Sequence, residues 1–290
     1  MKLVVVDASC LPFQILAKAR NLRPDKLPTY ALMAAEWISN AGWLPALEGH
    51  DTKVVWVHDS PSDANGKRTY WRCDYNPDYK GNRTSPKPEG YDVVMQQIRA
   101  SSASSIHIFK QEADDIAAAI VRHWMTNQFT SGIDQIFLAT VDSDWHGLIM
   151  NGVYWAGIRE YPPRLRGKAE AYNWLYSQWH KQSKKRQRAW ALPAYQDFHP
   201  THIWDWKLAV GDRSDNVPAG SPEFMVNLMR PARDHEILGS PNEKAIHEAI
   251  NLTPLCDHDL ARRHKQGMFQ MGVTPPIQNL LLPESVGIAA

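Results

Sequence analysis

Cysteine is scarce in this sequence: Cys10, Cys73 and Cys256 are its three, and no two sit at a CxxC spacing. That excludes a disulfide-stapled scaffold and a cysteine-based zinc framework, and it fits a reducing compartment. Long hydrophobic runs are also missing. No apolar stretch approaches the roughly 18–20 residues that span a bilayer. Leu3–Val6, directly after Met1-Lys2, is too short for the apolar core of a signal peptide. The chain therefore reads as soluble and cytoplasmic, with no membrane partner. A strong excess of either charge is lacking too: the formal net charge is +1, so the overall basic footprint of many nucleic-acid-binding proteins is absent. No internal repeat is apparent.

What is present suits a globular domain. With 290 residues and 43% hydrophobic content, the chain can bury a sizeable core, as one large domain or one domain with an appendage. Twelve tryptophans serve packing or base stacking equally well and decide nothing alone. The near-neutral charge hides an uneven distribution. Residues 159–188 carry Arg159, Arg164, Arg166, Lys168, Lys181, Lys184, Lys185, Arg186 and Arg188 against only Glu160 and Glu170, while the acidic residues gather in tight groups elsewhere.

Strands and helices alternate in the pattern. Leu3–Val6 and Lys53–His58 are apolar, β-branched runs of the buried-strand type, and Ile106–Phe109, Gln135–Val141 and Val153–Ala156 are further strands. Helical spacing marks 30–45, 91–100, 111–125, a basic and aromatic stretch at 164–190, and 203–210, whereas Ser60 to Gly90 reads mostly as loop. This order predicts an α/β fold with a mainly parallel sheet: a core over 1–160, a basic helical insertion over 161–200, and a mostly helical C-terminal region over 201–290. Ligands of such sheets bind at the carboxyl ends of the strands, and three of the expected strands end there in an aspartate: Asp7, Asp59 and Asp142.

Four local patterns carry chemistry. Glu112-Ala113-Asp114-Asp115 opens a helix, where carboxylates are favoured by the backbone dipole; simple capping explains them as well as ligation does. Asp142-Ser143-Asp144 places two carboxylates at i and i+2 after a strand, pointing the same way, a repulsive pair unless a cation lies between them or the segment is merely a turn. Gly211–Asn216 contributes Asp212 and Asp215 in what is otherwise a polar turn. Asp78–Arg83 offers Lys80 and Arg83 to a phosphate and the ring of Tyr79 to a terminal base, although any surface loop is rich in such residues. Together the carboxylates suit two hard, oxygen-seeking cations such as Mg²⁺ or Mn²⁺, and such a pair stabilises both oxygens of an in-line phosphoryl displacement.

Asp7, Asp59, YKGNR at 79–83, EADD at 112–115, TVDSD at 140–144 and GDRSDN at 211–216 follow the order seen in the 5′-nuclease superfamily, and the chain resembles it over residues 3–218. That superfamily includes flap endonucleases, the 5′-nuclease domain of bacterial DNA polymerase I and phage 5′–3′ exonucleases. The stretch at 76–91 is most similar to the gene 6 exonucleases of short-tailed lytic phages. The resemblance implies a PIN-like α/β domain holding two or more divalent ions. Asp7, Asp59, Glu112 and Asp114 would serve the first, Asp142, Asp144 and Asp212 the second, and Asp115 and Asp215 would support them. Lys80 and Arg83 would contact the scissile phosphate. It further implies 5′-phosphate products, DNA as partner (duplex ends, 5′ flaps or RNA–DNA hybrids), a monomer alongside replication proteins, and, for a phage enzyme, the host cytoplasm.

Two departures from the family stand out. GDRSDN is followed by Val217-Pro218-Ala219-Gly220-Ser221-Pro222-Glu223, without the glycine-rich, lysine-bearing hairpin that grips duplex DNA, so the helix-hairpin element is degenerate. Arg164, Arg166, Lys168, Lys184, Lys185, Arg186 and Arg188 would substitute by contacting phosphates, or form a solvated helix. Only 28 residues separate Arg83 from Glu112, a short arch, which favours 5′–3′ exonuclease action on duplex ends over strict flap cutting. Flap endonuclease and PIN-type ribonuclease activities are the alternatives. A nuclease-dead scaffold and a phosphatase of another α/β family explain fewer of the motifs.

Overall fold

A computed structural model describes residues 1–63, 68–81, 86–126, 132–158, 165–212, 215, 217–220 and 241–277. Arg83, Arg164 and residues 221–223 of the segment expected to be a degenerate hairpin lie outside the described residues.

The apolar, β-branched runs form one six-stranded sheet: β1 (Lys2–Asp7), β2 (Thr52–His58), β3 (Ser104–His107), β4 (Gln135–Thr140), β5 (Val153–Gly157) and β6 (Leu165–Arg166). Their spatial order is β3-β2-β1-β4-β5-β6, parallel throughout except for the antiparallel β5–β6 pair. The chain steps from β1 outward to β2 and β3, then returns to add β4 on the other side of β1. That reversal opens a crevice beyond the carboxyl ends of β1 and β4, where ligands of open α/β sheets bind.

Parallel sheets are covered on both faces, so their strands are apolar on both. In β1, Leu3 and Val5 join one core while Val4 and Val6 join the other. The first core is completed by α5 (Ala113–Met125), α6 (Lys168–His180), α8 (His202–Val210) and α9 (Pro241–Leu252); the second by α1 (Leu11–Lys18), α2 (Leu27–Ser39), α4 (Tyr91–Ala100) and α10 (His258–Gln270). Two short helices remain, α3 (Trp71–Tyr75) and α7 (Lys184–Ala189). No helix among the described residues is long and apolar enough to cross a membrane.

The α/β class and the mainly parallel sheet agree with the sequence pattern, and several boundaries differ. The third strand runs Ser104–His107 rather than 106–109, and α1 and α3 were not anticipated. The expected single helix over 164–190 is three elements. Leu165–Arg166 pairs with β5. Gly167 caps α6, with the Glu170 side chain accepting from its N–H at 2.9 Å, and Ser183 caps α7 by accepting from the N–H of Arg186. Capping residues inside a basic run outweighed its helical spacing.

Candidate metal centre

The carboxylates arrive at the crevice on the ends of rigid elements. Asp7 closes β1, and four groups fix it: its Oδ1 accepts from the Ser9 N–H and hydroxyl at 3.0 and 2.7 Å, and its Oδ2 accepts from the Thr140 hydroxyl at 2.8 Å and the Cys10 thiol at 2.9 Å. The same Thr140 oxygen accepts from the N–H of Asp142 at 3.0 Å, so one hydroxyl at the end of β4 ties the first aspartate to the second. Asp142 in turn accepts from the N–H of Asp144 at 2.9 Å, which starts a 3-10 helix over Ser143–Leu148 and turns Asp144 inward.

Glu112 and Asp115 form a reciprocal capping box at the start of α5. Asp59, just past β2, accepts from the N–H of Ala113 at 2.9 Å and so is docked on the same helix end. Seven carboxylates line one cleft of about 590 Å³: Asp7, Asp59, Glu112, Asp114, Asp142, Asp144 and Asp215, with Lys80 on its wall. Ligand atoms of Asp144, Asp212 and Asp215 lie within 4.8 Å of one another, as do those of Glu112, Asp114 and Asp115. Six of the seven residues of the first and second expected groups thus line one cleft together with Asp215, while Asp212 lies beside Asp144 and Asp215 without lining it.

Two buried cations within this acid cluster were not anticipated. Arg72, on α3, places Nη1 2.5 Å from Glu112 Oε2 and 2.9 Å from Asp115 Oδ2, and Nη2 2.8 Å from Asp115 Oδ1 and 3.4 Å from Asp114. Lys207, on α8, pairs with Asp144 and lies 3.1 Å from Asp212. Lys207 is the one cation in an otherwise largely apolar helical run, His202–Val210, which is the signal that could have found it. Arg72 sits in a segment read as loop, where nothing marked it.

The electrostatics follow from this layout. Burial pushes Asp59 up to about 6, opposed by Lys80, and pushes Asp144 up to about 7, with Lys207 opposing and Asp142, Asp215 and Asp212 reinforcing. Asp114 is also raised by burial. For Glu112 burial acts upward as well, but Lys80 and then Arg72 outweigh it and hold the group down at about 2. Lys207 is held protonated by Asp144 against its own burial. Crowded carboxylates that resist ionisation are what a divalent cation relieves. An all-oxygen donor set suits a hard ion, so the residues fit Mg²⁺ or Mn²⁺.

One expected role changes, and two other residues are anchored by specific partners. Tyr79 is buried against Trp71, Leu208 and Val217 and donates its hydroxyl to Asp215 at 3.1 Å; its ring is a wall of the cluster rather than a stacking surface for a base. Asp115 is fully buried and does not line the cleft. Its oxygens accept from Arg72, from Trp71 Nε1 at 3.0 Å and from the Glu112 N–H at 3.0 Å, so it braces Glu112 rather than reaching an ion. Lys80 is itself buried and paired with Glu112, in a left-handed conformation at φ 53°. Such a backbone costs about 1–3 kcal/mol in a non-glycine residue and persists where surroundings over-determine it; here its N–H donates to the Asp215 carbonyl at 3.0 Å. Of the basic set, Lys168, Lys184, Lys185, Arg186 and Arg188 are exposed, while Arg166 is half-buried and stacked 4.5 Å over Trp155.

Fold and site together define an α/β protein with a candidate divalent-metal centre at its topological switch point. No family model matches the chain, and no curated protein does. In shape it is similar to solved structures from bacteriophage T5. One is the 5′-exonuclease with bound zinc ions, 18% identical with a TM-score of 0.48, covering 91% of this chain and 88% of that one. Another is the flap endonuclease in a pseudo-enzyme–product complex with DNA and metal ions, 18% identical with a TM-score of 0.45, covering 91% and 87%.

Proposed function

We propose that the chain is a divalent-metal-dependent 5′-nuclease that hydrolyses phosphodiester bonds of DNA to 5′-phosphate products, acting 5′ to 3′ from duplex ends. The observation that carries this reading is the convergence of seven carboxylates and Lys80 on one cleft. The ordered motifs from Asp7 to Asp215 support the polarity and the substrate class. Bound Mg²⁺ or Mn²⁺ ions supply Lewis-acid charge and make water nucleophilic near neutral pH.

The protein's own groups do the rest. Asp7, Asp59, Glu112 and Asp114 are assigned to one ion and Asp142, Asp144 and Asp212 to the other, with Asp215 held by the Tyr79 hydroxyl. The Lys80 ammonium, leaning on Glu112, donates to phosphoryl oxygens as their charge grows, and Arg83 is assigned the same task. Lys168 and the exposed face of α7, with Lys184, Lys185, Arg186 and Arg188, hold the nucleic-acid backbone without reading sequence. The RNA strand of a hybrid is a further substrate, since contacts to phosphate need not read the 2′-hydroxyl. A role in phage DNA replication or degradation, as a monomer, belongs to the same reading.

The alternatives are flap endonuclease and PIN-type ribonuclease activity. Rates on a 5′-recessed duplex, a 5′-flap duplex, an RNA–DNA hybrid and a single-stranded RNA, each labelled at either end, separate them. The proposal expects the recessed duplex to be degraded fastest, with short products released from its 5′ end. Preferential cutting of single-stranded RNA, or release from the 3′ end, would overturn it.

A further inference from the structure

A second group of ligating side chains lies away from the carboxylate cleft. His123 stands in the last turn of α5, 11 residues beyond Glu112 along the same helix, roughly 16 Å at 1.5 Å per residue. Glu243 and His247 are spaced i and i+4 on α9, and so share one helical face. Ile246 and Ile250 of that helix belong to the core that contains α5, which seats α9 against it.

The three side chains meet closely. His247 Nε2 is 3.1 Å from His123 Nδ1, and Glu243 Oε1 is 2.7 Å from His123 Nε2 and 4.0 Å from His247 Nε2. The imidazole rings stand at 87° with centroids 4.8 Å apart. One ligand atom from each residue falls within 4.8 Å of the others. Glu243 and His247 face different nitrogens of the His123 ring, so a rotation of that ring presents one nitrogen to both; two ligands bound tetrahedrally to zinc at about 2.0–2.1 Å are roughly 3.3 Å apart, within the 4.8 Å spread of the three ligand atoms here. His123 is buried while His247 and Glu243 keep about a quarter or less of their side chains exposed, so an ion can enter and a water can complete the coordination.

The geometry points to a zinc site formed by His123, Glu243 and His247, independent of the carboxylate cleft and clamping α9 to the far end of the helix that begins at Glu112. Its donors separate it from the cleft: two imidazoles and one carboxylate prefer Zn²⁺, whereas the cleft offers oxygen alone and prefers Mg²⁺ or Mn²⁺. This inference does not depend on the nuclease reading.

The test is zinc competition with a chromogenic chelator on the full chain in excess Mg²⁺, which occupies the oxygen site, together with the visible spectrum after Co²⁺ loading. The wild type is expected to hold one equivalent of Zn²⁺ and to give the intense d–d bands of four-coordinate cobalt, and Asp142→Ala is expected to do the same. Losing a partner that only braces a ligand costs roughly 10–100-fold in affinity, so losing a ligand costs at least about 100-fold. His247→Ala should show that loss, and His247→Cys, which restores a zinc ligand, should recover binding. Glu243→Ala, at a partly exposed position, decides the matter if His247→Ala does not fold. No zinc bound by the wild type, or wild-type affinity in folded variants lacking His247 or Glu243, would overturn the site.

Discussion

Arg72 and Lys207 let the acidic residues tolerate one another, and each makes its own demand on stability. Removing one partner of a buried ion pair leaves an uncompensated charge and costs about 3–5 kcal/mol. Lys207→Met should therefore destabilise the metal-free protein by that order in urea titrations, and Mg²⁺ should restore more stability to the variant than it adds to the wild type. A variant as stable as wild type without Mg²⁺ would show that Lys207 balances no charge. Arg72→Leu exposes Asp115 and Glu112 to the same penalty, and Mg²⁺ should restore only the share that falls on Glu112, because Asp115 does not line the cleft. Most of the acidic residues were legible one by one because they follow a strand or open a helix, and Asp212 and Asp215 because they sit in the turn after α8. Of the buried cations, Lys207 left a trace as the one lysine or arginine of a largely apolar helix, whereas Arg72, in a loop-like segment, left none.

Among the elements, the turn that delivers Asp212 is the most constrained. Gly211 has φ 80°, and a Cβ there would lie 2.8 Å from the Ala219 nitrogen and 3.0 Å from the Val217 carbonyl oxygen. That close approach frames the paired hydrogen bonds between Asp212 and Val217, at 2.9 and 2.8 Å, which enclose Asp215. Gly211→Ala adds about 1–2 kcal/mol of left-handed strain and displaces two of the carboxylates. Turnover in Mg²⁺ should fall by about 5- to 30-fold, that energy at 1.4 kcal/mol per decade, and a normal rate would contradict the account of this turn. At the other end of the molecule, Cys256 reports on the docking of α10. Its N–H donates to Thr52 at 2.8 Å, and burial pushes its thiol up to about 12. A thiol with a raised pKa is mostly protonated below that pKa, so Cys256 in the native protein should resist iodoacetamide at pH 8 and react faster as pH climbs. Rapid labelling at pH 8 would mean that α10 leaves the sheet readily. The five parallel strands could be read from their apolar runs. The break of 164–190 into β6, α6 and α7 could not, since it depends on Gly167 and Ser183 acting as caps in a stretch whose spacing is helical throughout.

For the whole molecule, strand order does what the sequence could only suggest. Returning from β3 to place β4 beside β1 brings Asp7 and Asp142 to adjacent strand ends, and a single Thr140 hydroxyl couples them. Residues more than 200 apart in the chain, from Asp7 to Asp215, then share one cleft, which no local pattern reveals. The charge layout has the same large-scale logic: acid concentrated in the cleft, base displayed on α7, and a net charge near zero that conceals both. The most direct test of this arrangement is single-turnover cleavage of a 5′-recessed duplex, with Mg²⁺ or EDTA, by wild type and Asp142→Ala. The account predicts Mg²⁺-dependent release of 5′-phosphorylated products by the wild type, abolished by EDTA. It predicts a fall of at least about 100-fold in the variant, the scale of losing a key transition-state contact. Cleavage that survives EDTA or the loss of Asp142, or a wild type that binds the duplex without cutting it, would contradict the account.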